Sequence, residues 1–412
     1  ELKSDPNVPK KLKDTENIEL TLAIKKGDHS LEKLSQNENL LYAYLPTDEK
    51  RYSLPILVNS TFLTSSNRES LHNDSKWNQW LFKSISVELF KWVAILVKEK
   101  YQEQAYRLIP KKLDIKNDNL SKAYNEGIDE AIKSIAFILS KENELLKVEE
   151  SIIDETSFSE KIFIGKEAVK GFIKKGIGED NKIVESPFVK SNSNLNKLKI
   201  ARFSFDNVPA FLASEDFLVE HTIEKNIKLI EYFKNESNIS DSFITNDKLK
   251  KWAFLFDHKG KLTYPNNIYF PTPDDTTWNN PESDMSFLHE EIQTSLIDKQ
   301  PTREWLEKLG VIEKTDISFL LKTIIPNAST YVTNDNAIET IQTIYNLYKK
   351  ENISSHLSEL NRLNLLTTDG NLLSASECYF SKKYNPKLEI DTILGNDIFL
   401  SEDYLQLDND KD

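Results

Sequence analysis

Apolar and polar residues alternate over residues 18–24, near the start of the chain. A period of two is typical of a β-strand with one buried face. Aliphatic and aromatic runs over residues 40–45 and 54–62 predict two further strands, because such side chains fit a pleated, half-buried surface. Pro55 lies near the start of the last run, where a missing N–H is tolerated. The first part of the chain is therefore expected to form a small sheet.

A helical period follows the third predicted strand. From Trp77 to Leu96 apolar residues recur every three or four positions, which predicts an amphipathic helix. Asp74 or Ser75 is expected to cap its N-terminus. Further aromatic residues widen the apolar surface beyond one stripe, so this helix should be covered on more than one side. Sheet and helix together predict an α+β fold, with a mixed sheet and a long packed helix.

Over residues 106–412 the periodicity of apolar residues is weaker and mostly typical of helices. It predicts helices over residues 124–139 and 167–175 and a linker over 191–198. Residues 146–153 and 157–163 are expected to form either a strand pair or part of a small module. The predicted parts are a linker from an upstream domain over residues 1–17, an α+β domain over 18–105, a mixed α/β module over 106–200 and a mostly helical domain over 201–412. A frayed terminus is the alternative for residues 1–17.

Two segments of the last domain share one pattern. Counted from Gly260 and from Gly370, Leu follows by two positions, Tyr by nine and Phe by ten, and the two glycines lie 110 residues apart. Each glycine is expected at a left-handed position after a helix, over residues 247–254 and 354–363. The pattern predicts two helix–turn–hairpin repeats. Between them, Gly310 is expected to end a helix.

The amino-acid composition argues against several classes of protein. The chain has 412 residues and a formal net charge of −13, which argues against a general nucleic-acid binder, since such proteins need clustered lysine and arginine. Its 39% hydrophobic content is enough for sizeable cores. The one cysteine, Cys378, favours a reducing compartment. No apolar run approaches the length of a membrane span, so a cytoplasmic protein without membrane contact is expected.

Few residues in the sequence indicate a catalytic, metal-binding or phosphate-binding site. The six histidines lack the spacing of metal ligands on a helix, so no metal site is predicted. Gly165-Lys166 lacks the upstream glycine of a phosphate-binding loop. Arg68 lies in a polar loop between the third strand and the long helix, where it would be presented as a fixed cation. By itself, an Arg-Glu pair in such a loop is most often a solvated ion pair.

The sequence around Arg68 resembles a known family. The run Ser66-Asn67-Arg68-Glu69-Ser70-Leu71 resembles the Ser-Arg-Glu-x-Leu catalytic loop in the middle domain of the ninety-kilodalton heat-shock chaperones. With Leu45-Pro46-Thr47 before it and Trp77-Asn78-x-Trp80-Leu81 after it, the stretch is more similar still to bacterial sacsin-type proteins. Those carry a GHKL-type ATPase domain ahead of such a region. Asn67 departs from the chaperone pattern, which has Ser before Arg.

The resemblance implies a role for the first domain as a transducer. Arg68 would act catalytically, from outside, on ATP bound by an upstream domain, with Ser66 and Asn67 as nucleotide-contacting neighbours. ATP and magnesium are expected in that upstream domain, since the acidic, Asn-bearing helix and the Asp-x-Gly-x-Gly turn of GHKL sites are not in this sequence. No cofactor and no activity are therefore expected for this chain alone, which would be part of an ATPase.

The implied partners are the upstream domain and a client protein bound by the repeat-containing half, and a homodimer is left open. A role in bacterial anti-phage defence is also left open by the resemblance. The main alternative is a non-catalytic interaction scaffold in which Arg68 is only structural. A nuclease is a third reading, but no Asp…Glu-x-Lys cluster supports it.

Overall fold

The protein is a mixed α/β chain, rich in helix and with small sheets, in a computed structural model. The structure describes residues 2, 8–27, 30–32, 34, 38, 41–178, 182–271, 286–313, 315–350, 357–388, 390 and 393–406. It contains two compact units, Glu1–Val219 and Glu220–Asp412. Among the described residues, no helix is long and apolar enough to cross a membrane.

The first unit combines short strands with two long helices. Its helices are Lys10–Lys13, Lys76–Lys98, Asn119–Ser134, Lys166–Ile177, Val208–Leu212 and Glu215–Leu218. Its strands are Thr21–Ala23, Lys25–Lys26, Leu31–Glu32, Leu41–Ala43, Leu45–Pro46, Leu57–Asn59, Ile138–Leu139, Leu145–Leu146, Ile152–Asp154, Phe188–Val189 and Ala201–Phe203.

A four-stranded mixed sheet and the helix Lys76–Lys98 form the N-terminal part of this unit. The strand Leu57–Asn59 is central, antiparallel to Thr21–Ala23 and parallel to Leu41–Ala43. Ser75 caps the helix, because its side chain accepts a hydrogen bond from the backbone N–H of Asn78. The predicted strands and helix exist here, although each strand is shorter than its apolar run.

The helices Lys76–Lys98 and Asn119–Ser134 approach each other closely. The Ser86 hydroxyl of the first donates to the carbonyl oxygen of Tyr124 in the second, at 3.0 Å. A Cβ atom at Gly127 would collide with Ser86 and with the carbonyl of Lys83, so the contact requires glycine. The long helix is thus covered by a second helix on one side, and the rings of Tyr52 and Phe62 pack against its Phe82, as its wide apolar surface predicts.

The core of the first unit is continuous from Val8 to Ile200. The predicted boundary between residues 105 and 106 falls inside this core. The segment 191–198, predicted as a linker, places Leu195 and Leu198 in that core. Residues 1 and 3–7 of the predicted N-terminal linker lie outside the described residues.

Two further predictions for this unit are corrected. The helix expected over 124–139 is Asn119–Ser134, and Ile138–Leu139 is a strand, because the apolar residues at its end pair with Leu145–Leu146. The segment 157–163 is not a strand but contains a 3-10 turn, Phe158–Glu160. Ile152–Asp154 instead pairs in parallel with Phe188–Val189 and with Ala201–Phe203.

The second unit consists of helices and two-stranded ladders. Its helices are Ile223–Ser237, Asn246–Leu249, Glu290–Ser295, Gln300–Leu309, Asp316–Phe319, the π-helix Leu320–Ile324, Ala328–Tyr331, Ala337–Lys350 and Leu357–Leu360. Its strands are Leu255–Phe256, Leu262–Thr263, Tyr269–Phe270, Ile312–Glu313, Asn364–Leu366 and Leu372–Ser374. Gly310 ends the helix Gln300–Leu309 with a φ of +111°, as predicted. Residues 354–356 of a predicted helix lie outside the described residues.

Two hairpins of this unit have glycine turns with the same geometry. Gly260 and Gly370 have φ angles of +75° and +77°. Each N–H donates to the carbonyl oxygen three residues earlier, at 2.9 Å in both turns. Leu262 and Leu372 are both half-buried. The glycines lie between paired strands, so each turn belongs to the hairpin itself and does not precede it.

The segments that follow these hairpins also correspond. A 3-10 turn leads to Tyr269 or Tyr379, whose N–H donates to a returning segment, to Ser286 or Ile398 respectively, at 2.9 Å in both. We call residues 255–270 together with 286–288 the Gly260 hairpin. Residues 364–380 together with 398–400 are the Gly370 hairpin.

A hairpin with the same geometry occurs in the first unit. Asn143 has a φ of +65° and donates its N–H to the carbonyl oxygen of Ser140 at 3.0 Å. A 3-10 turn follows, and the N–H of Ile152 donates to Pro187 in a returning segment at 2.8 Å. The Asn143 hairpin, residues 138–153 with 187–189, was not predicted, because Asn replaces the glycine and Ile152-Ile153 replaces Tyr-Phe.

Candidate functional site

The loop that carries Arg68 connects the strand Leu57–Asn59 to the helix Lys76–Lys98. Thr64 and Leu71 form an antiparallel bridge across its base. Above the bridge, the N–H of Ser65 donates to the carbonyl oxygen of Ser70 at 2.9 Å. The loop is therefore a small closed hairpin with a backbone conformation fixed by its own hydrogen bonds.

A buried side chain from the helix holds both ends of this loop. Asn78 is fully buried. Its Nδ2 donates to the carbonyl oxygens of Leu63 at 2.8 Å and of His72 at 3.1 Å, and its Oδ1 accepts the N–H of Leu63 at 2.9 Å. Since an amide can satisfy donors and acceptors at once, one residue closes the loop and anchors it to the long helix.

Arg68 lies at the exposed tip of the loop. Its φ of +62° is in the left-handed region, which is uncommon for a residue with a side chain. Its N–H donates to Ser65 at 3.0 Å, and its guanidinium Nη1 donates to the carbonyl oxygen of Ala43 at 3.1 Å. Within the described residues, the guanidinium makes no ion pair with a carboxylate, so its other N–H groups can reach a ligand.

The neighbours Ser66 and Asn67 are exposed as well. The Asn67 side chain accepts the Ser65 hydroxyl at 2.7 Å and the Glu69 N–H at 3.3 Å. Its amide nitrogen donates to the Glu69 carboxylate. Glu69 is therefore bonded to Asn67 and not to Arg68. The nucleotide-contacting role expected for Ser66 and Asn67 stays a prediction.

An exposed apolar pair lies beside the Arg68 contact. Tyr44 and Leu45 follow Ala43 and are 81% and 60% exposed. Tyr44 has a φ of +65°, and its N–H donates to the Asn59 side chain at 3.2 Å. Exposed apolar side chains next to a cation are typical of protein–protein contacts.

The loop is connected to the core through the segment 47–52. The N–H of Asp48 donates to the carbonyl oxygen of Arg68 at 3.3 Å. Farther along, Tyr52 is buried and donates to the carboxylate of Asp118 at 3.1 Å. Burial raises the pKa of Tyr52 above its ordinary range, so the phenol stays a donor. Asp118 caps the helix Asn119–Ser134, which links the loop to the second long helix.

The N-terminal segment packs near the same end of the long helix. Leu12 and Ile18 line a small cavity together with Trp77 and Trp80, from the first turn of Lys76–Lys98. The Nε1 of Trp77 donates to the carbonyl oxygen of Thr61 at 2.8 Å, just before the Arg68 loop. The segment 12–18 and the Arg68 loop thus both lie at the N-terminal end of this helix.

Metal chemistry is not supported in the described part of the chain, where no group of three His, Cys, Asp or Glu side chains could hold an ion. His258 and His289 accept backbone N–H groups through their Nδ1 atoms and have structural roles. His29 and His356 lie outside the described residues.

Two site residues were not predicted from the sequence. Asn78 was noted only for its resemblance, and Tyr44 was assigned only to a strand. A polar residue on the buried face of an amphipathic helix is a signal that could have identified Asn78, since a buried amide needs partners. No local signal identifies Tyr44, because its exposure depends on the neighbouring strands.

No protein-family model matches the chain, and searches of curated proteins and of solved structures returned no significant match.

Proposed function

We propose that residues 18–105 act as a transducer for an ATPase domain located upstream in the full-length polypeptide. The observation that carries this proposal is the Arg68 loop: an exposed arginine, free of carboxylates among the described residues, on a loop closed by a buried amide. A guanidinium held in this way would reach the γ-phosphate of ATP and offset the charge that develops there during transfer.

Three further features support the same proposal. The exposed pair Tyr44 and Leu45 would contact the upstream domain. The segment 12–18 lies at the loop's end of the helix, so the preceding chain would approach from that side. The bond from Asp48 to Arg68 would transmit a displacement of the loop to the Tyr52–Asp118 contact. The arrangement would thus resemble the middle domain of the ninety-kilodalton heat-shock chaperones and the matching region of sacsin-type proteins.

We also propose that the Asn143, Gly260 and Gly370 hairpins are copies of one helix–turn–hairpin unit. Their shared turn φ angles and their equivalent bonds to a returning segment support this. Residues 201–412 would then be a scaffold for a client or partner protein, and a cytoplasmic role in anti-phage defence would fit such an assembly.

The decisive experiment measures ATP turnover of the polypeptide that includes the upstream domain. Arg68→Ala should lower turnover at least tenfold, whereas Arg68→Lys should restore it only in part, because a point charge does not reproduce the guanidinium fork. Lys76→Ala is the matched control, since Lys76 is a nearby exposed cation bonded only to Gln79 among the described residues. Unchanged turnover in Arg68→Ala would contradict the transducer.

Residues 1–412 alone should not bind ATP. Isothermal titration with ATP and Mg²⁺ at micromolar concentrations is expected to give no isotherm, since the sequence lacks the nucleotide motifs. A clear micromolar isotherm would show that the nucleotide site lies in this chain.

The second candidate function is a non-catalytic interaction scaffold. It is favoured by the exposed aromatic residues Tyr379 and Phe380, which suit a binding surface and need no nucleotide. This scaffold predicts wild-type turnover for every Arg68 variant, so the same measurement separates the two functions.

A further inference from the structure

In each of the three hairpins, the segment that follows the 3-10 turn has two edges that can pair with another strand. These segments are residues 152–154, 269–270 and 379–380, and one edge of each pairs with the returning segment. In the Asn143 hairpin the other edge pairs in parallel with Ala201–Phe203. In the Gly260 hairpin the other edge pairs in parallel with Ile312–Glu313. In the Gly370 hairpin, no strand among the described residues pairs with that edge. Within the described residues, one of the three equivalent edges is therefore open.

Side-chain burial follows the pairing. Ile152 and Ile153 are fully buried, and so is Phe270. Their counterparts Tyr379 and Phe380 are 48% and 58% exposed. The same backbone thus buries its apolar residues where a third strand is present and exposes them where it is not.

Backbone groups at the open edge can accept a strand. Tyr379 uses both its N–H and its carbonyl oxygen for the returning segment, at 2.9 Å to Ile398 and 2.9 Å to Leu400. Successive residues of a strand direct these groups to opposite edges, so Phe380 presents its N–H and carbonyl to the open edge. Unpaired edge groups beside apolar side chains favour the addition of a strand.

The strand at the equivalent edge of the Gly260 hairpin indicates which side chains the open edge would accept, whereas the edge of the Asn143 hairpin pairs with Ala201 and Arg202. Ile312 pairs with Tyr269, and the next residue, Glu313, forms an ion pair with Arg303 at 2.9 Å. Lys382, Lys383 and Lys387 follow Phe380 in the sequence and are exposed, in a chain whose net charge is −13, and the Lys383 Nζ lies 3.7 Å from a carboxylate oxygen of Glu402. An aliphatic residue followed by an acidic one would therefore complement this surface better than a basic segment would.

We propose that the open edge of the Gly370 hairpin binds an extended segment of a partner protein, added as a parallel strand. Its aliphatic side chain packs against Tyr379, its backbone bonds to Phe380, and its acidic residue faces the lysines of 381–388. Leu388, Ile393 and Leu394 are also exposed and follow the open edge in the sequence. The proposal does not depend on Arg68 and goes beyond the coupling function.

A peptide from the chain itself is the probe. Residues 307–313, Glu-Lys-Leu-Gly-Val-Ile-Glu, include the strand that occupies the equivalent edge of the Gly260 hairpin. A fluorescent form is titrated with residues 1–412 and its anisotropy is recorded. Saturable binding is expected, and a peptide with Asp in place of Ile312 should bind at least tenfold more weakly. No saturation at about 1 mM protein would overturn the proposal.

Two variants of the protein test the geometry. Phe380→Pro removes the edge N–H and should weaken binding at least tenfold, whereas Arg68→Ala should leave it unchanged. Hydrogen exchange at the Phe380 amide should slow in the complex and supplies a readout if Phe380→Pro fails to fold. Equal affinity of Phe380→Pro and wild type, or an amide that is not protected, would contradict strand addition.

The source of the strand is tested separately. Sedimentation of residues 1–412 should show a monomer, since the proposed occupant is another protein. A dimer that dissociates in Phe380→Pro would show that a second copy occupies the edge and would overturn the assignment. A longer form of the polypeptide that protects the Phe380 amide without the probe would overturn it as well, because its own chain would then fill the edge.

Discussion

The Gly260 and Gly370 hairpins have the same backbone and different surroundings. Both turns have a left-handed glycine and the same bonds to a returning segment. Yet Phe270 is fully buried, with the Arg303 guanidinium 4.1 Å from its ring centroid, whereas Phe380 is 58% exposed. Local sequence therefore sets the hairpin, while the elements packed against it decide whether its aromatic residues stabilise a core or remain available for binding.

The largest expected difference in the free energy of unfolding is between the alanine variants of Phe270 and Phe380. Phe270→Ala should lower the free energy of unfolding by about 3–5 kcal/mol, because it opens a cavity in a packed site. Phe380→Ala should change it by about 0.5 kcal/mol or less, since its ring is mostly in water. Urea titration is followed by hydrogen exchange, in residues 286–313 for Phe270→Ala and in residues 364–374 for Phe380→Ala. Similar losses for the two variants would show that Phe380 is covered in solution.

The two turns should respond equally to an added side chain. Gly260→Ala and Gly370→Ala should each cost about 1–2 kcal/mol, because alanine is strained at positive φ. No atom lies within 4 Å of a Cβ built on either glycine, so no clash adds to this cost. Thermal unfolding of the two variants shows whether they lose the same amount of stability. A difference of more than about 1 kcal/mol between them would break the correspondence of the turns.

A half-buried lysine, Lys322, contacts the Gly260 hairpin. The Lys322 Nζ lies 5.2 Å from the Tyr269 ring centroid and donates to the carbonyl oxygen of Gly310. Burial lowers the pKa of Lys322 from 10.5 to about 8. Between these two values the unfolded chain binds more protons than the folded one, so the free energy of unfolding should rise as the pH increases through this window.

The size of this rise is about 1 kcal/mol once partial exposure of the side chain is allowed for. Lys322→Met should remove it, and Lys349→Met, at an exposed lysine that also contacts a tyrosine ring, should retain it. Urea titrations at a series of pH values on the three proteins supply the comparison. An identical pH dependence in Lys322→Met and wild type would contradict the lowered pKa.

The smallest effect is expected at the turn that has no glycine. Asn143→Gly should change the free energy of unfolding by about 0.5 kcal/mol or less, because asparagine already tolerates the left-handed region and glycine increases the freedom of the unfolded chain. Thermal unfolding measures this. A loss well above 1 kcal/mol would indicate that the Asn143 side chain, and not only its backbone, supports this hairpin.

Part of the candidate site could be predicted from the sequence. The spacing of apolar residues predicted the helix that starts after Ser75, and the polar run before it predicted an exposed loop with Arg68. The bond from Arg68 to Ala43 and the closure of the loop by Asn78 could not be predicted, because each joins segments far apart in the chain. Such contacts depend on strand order, and strand order leaves no local pattern.

The sequence by itself determined the elements whose causes are local. The alternation over residues 18–24, the three-to-four spacing from Trp77 to Leu96 and the glycines at left-handed turns each follow from the period or the steric freedom of a few neighbouring residues. Tertiary structure alone decided which edges of the hairpins are covered. Phe270 and Phe380 stand at the same place in the same local pattern, but a strand edge is filled or left open by a segment distant in sequence, and burial depends on that partner.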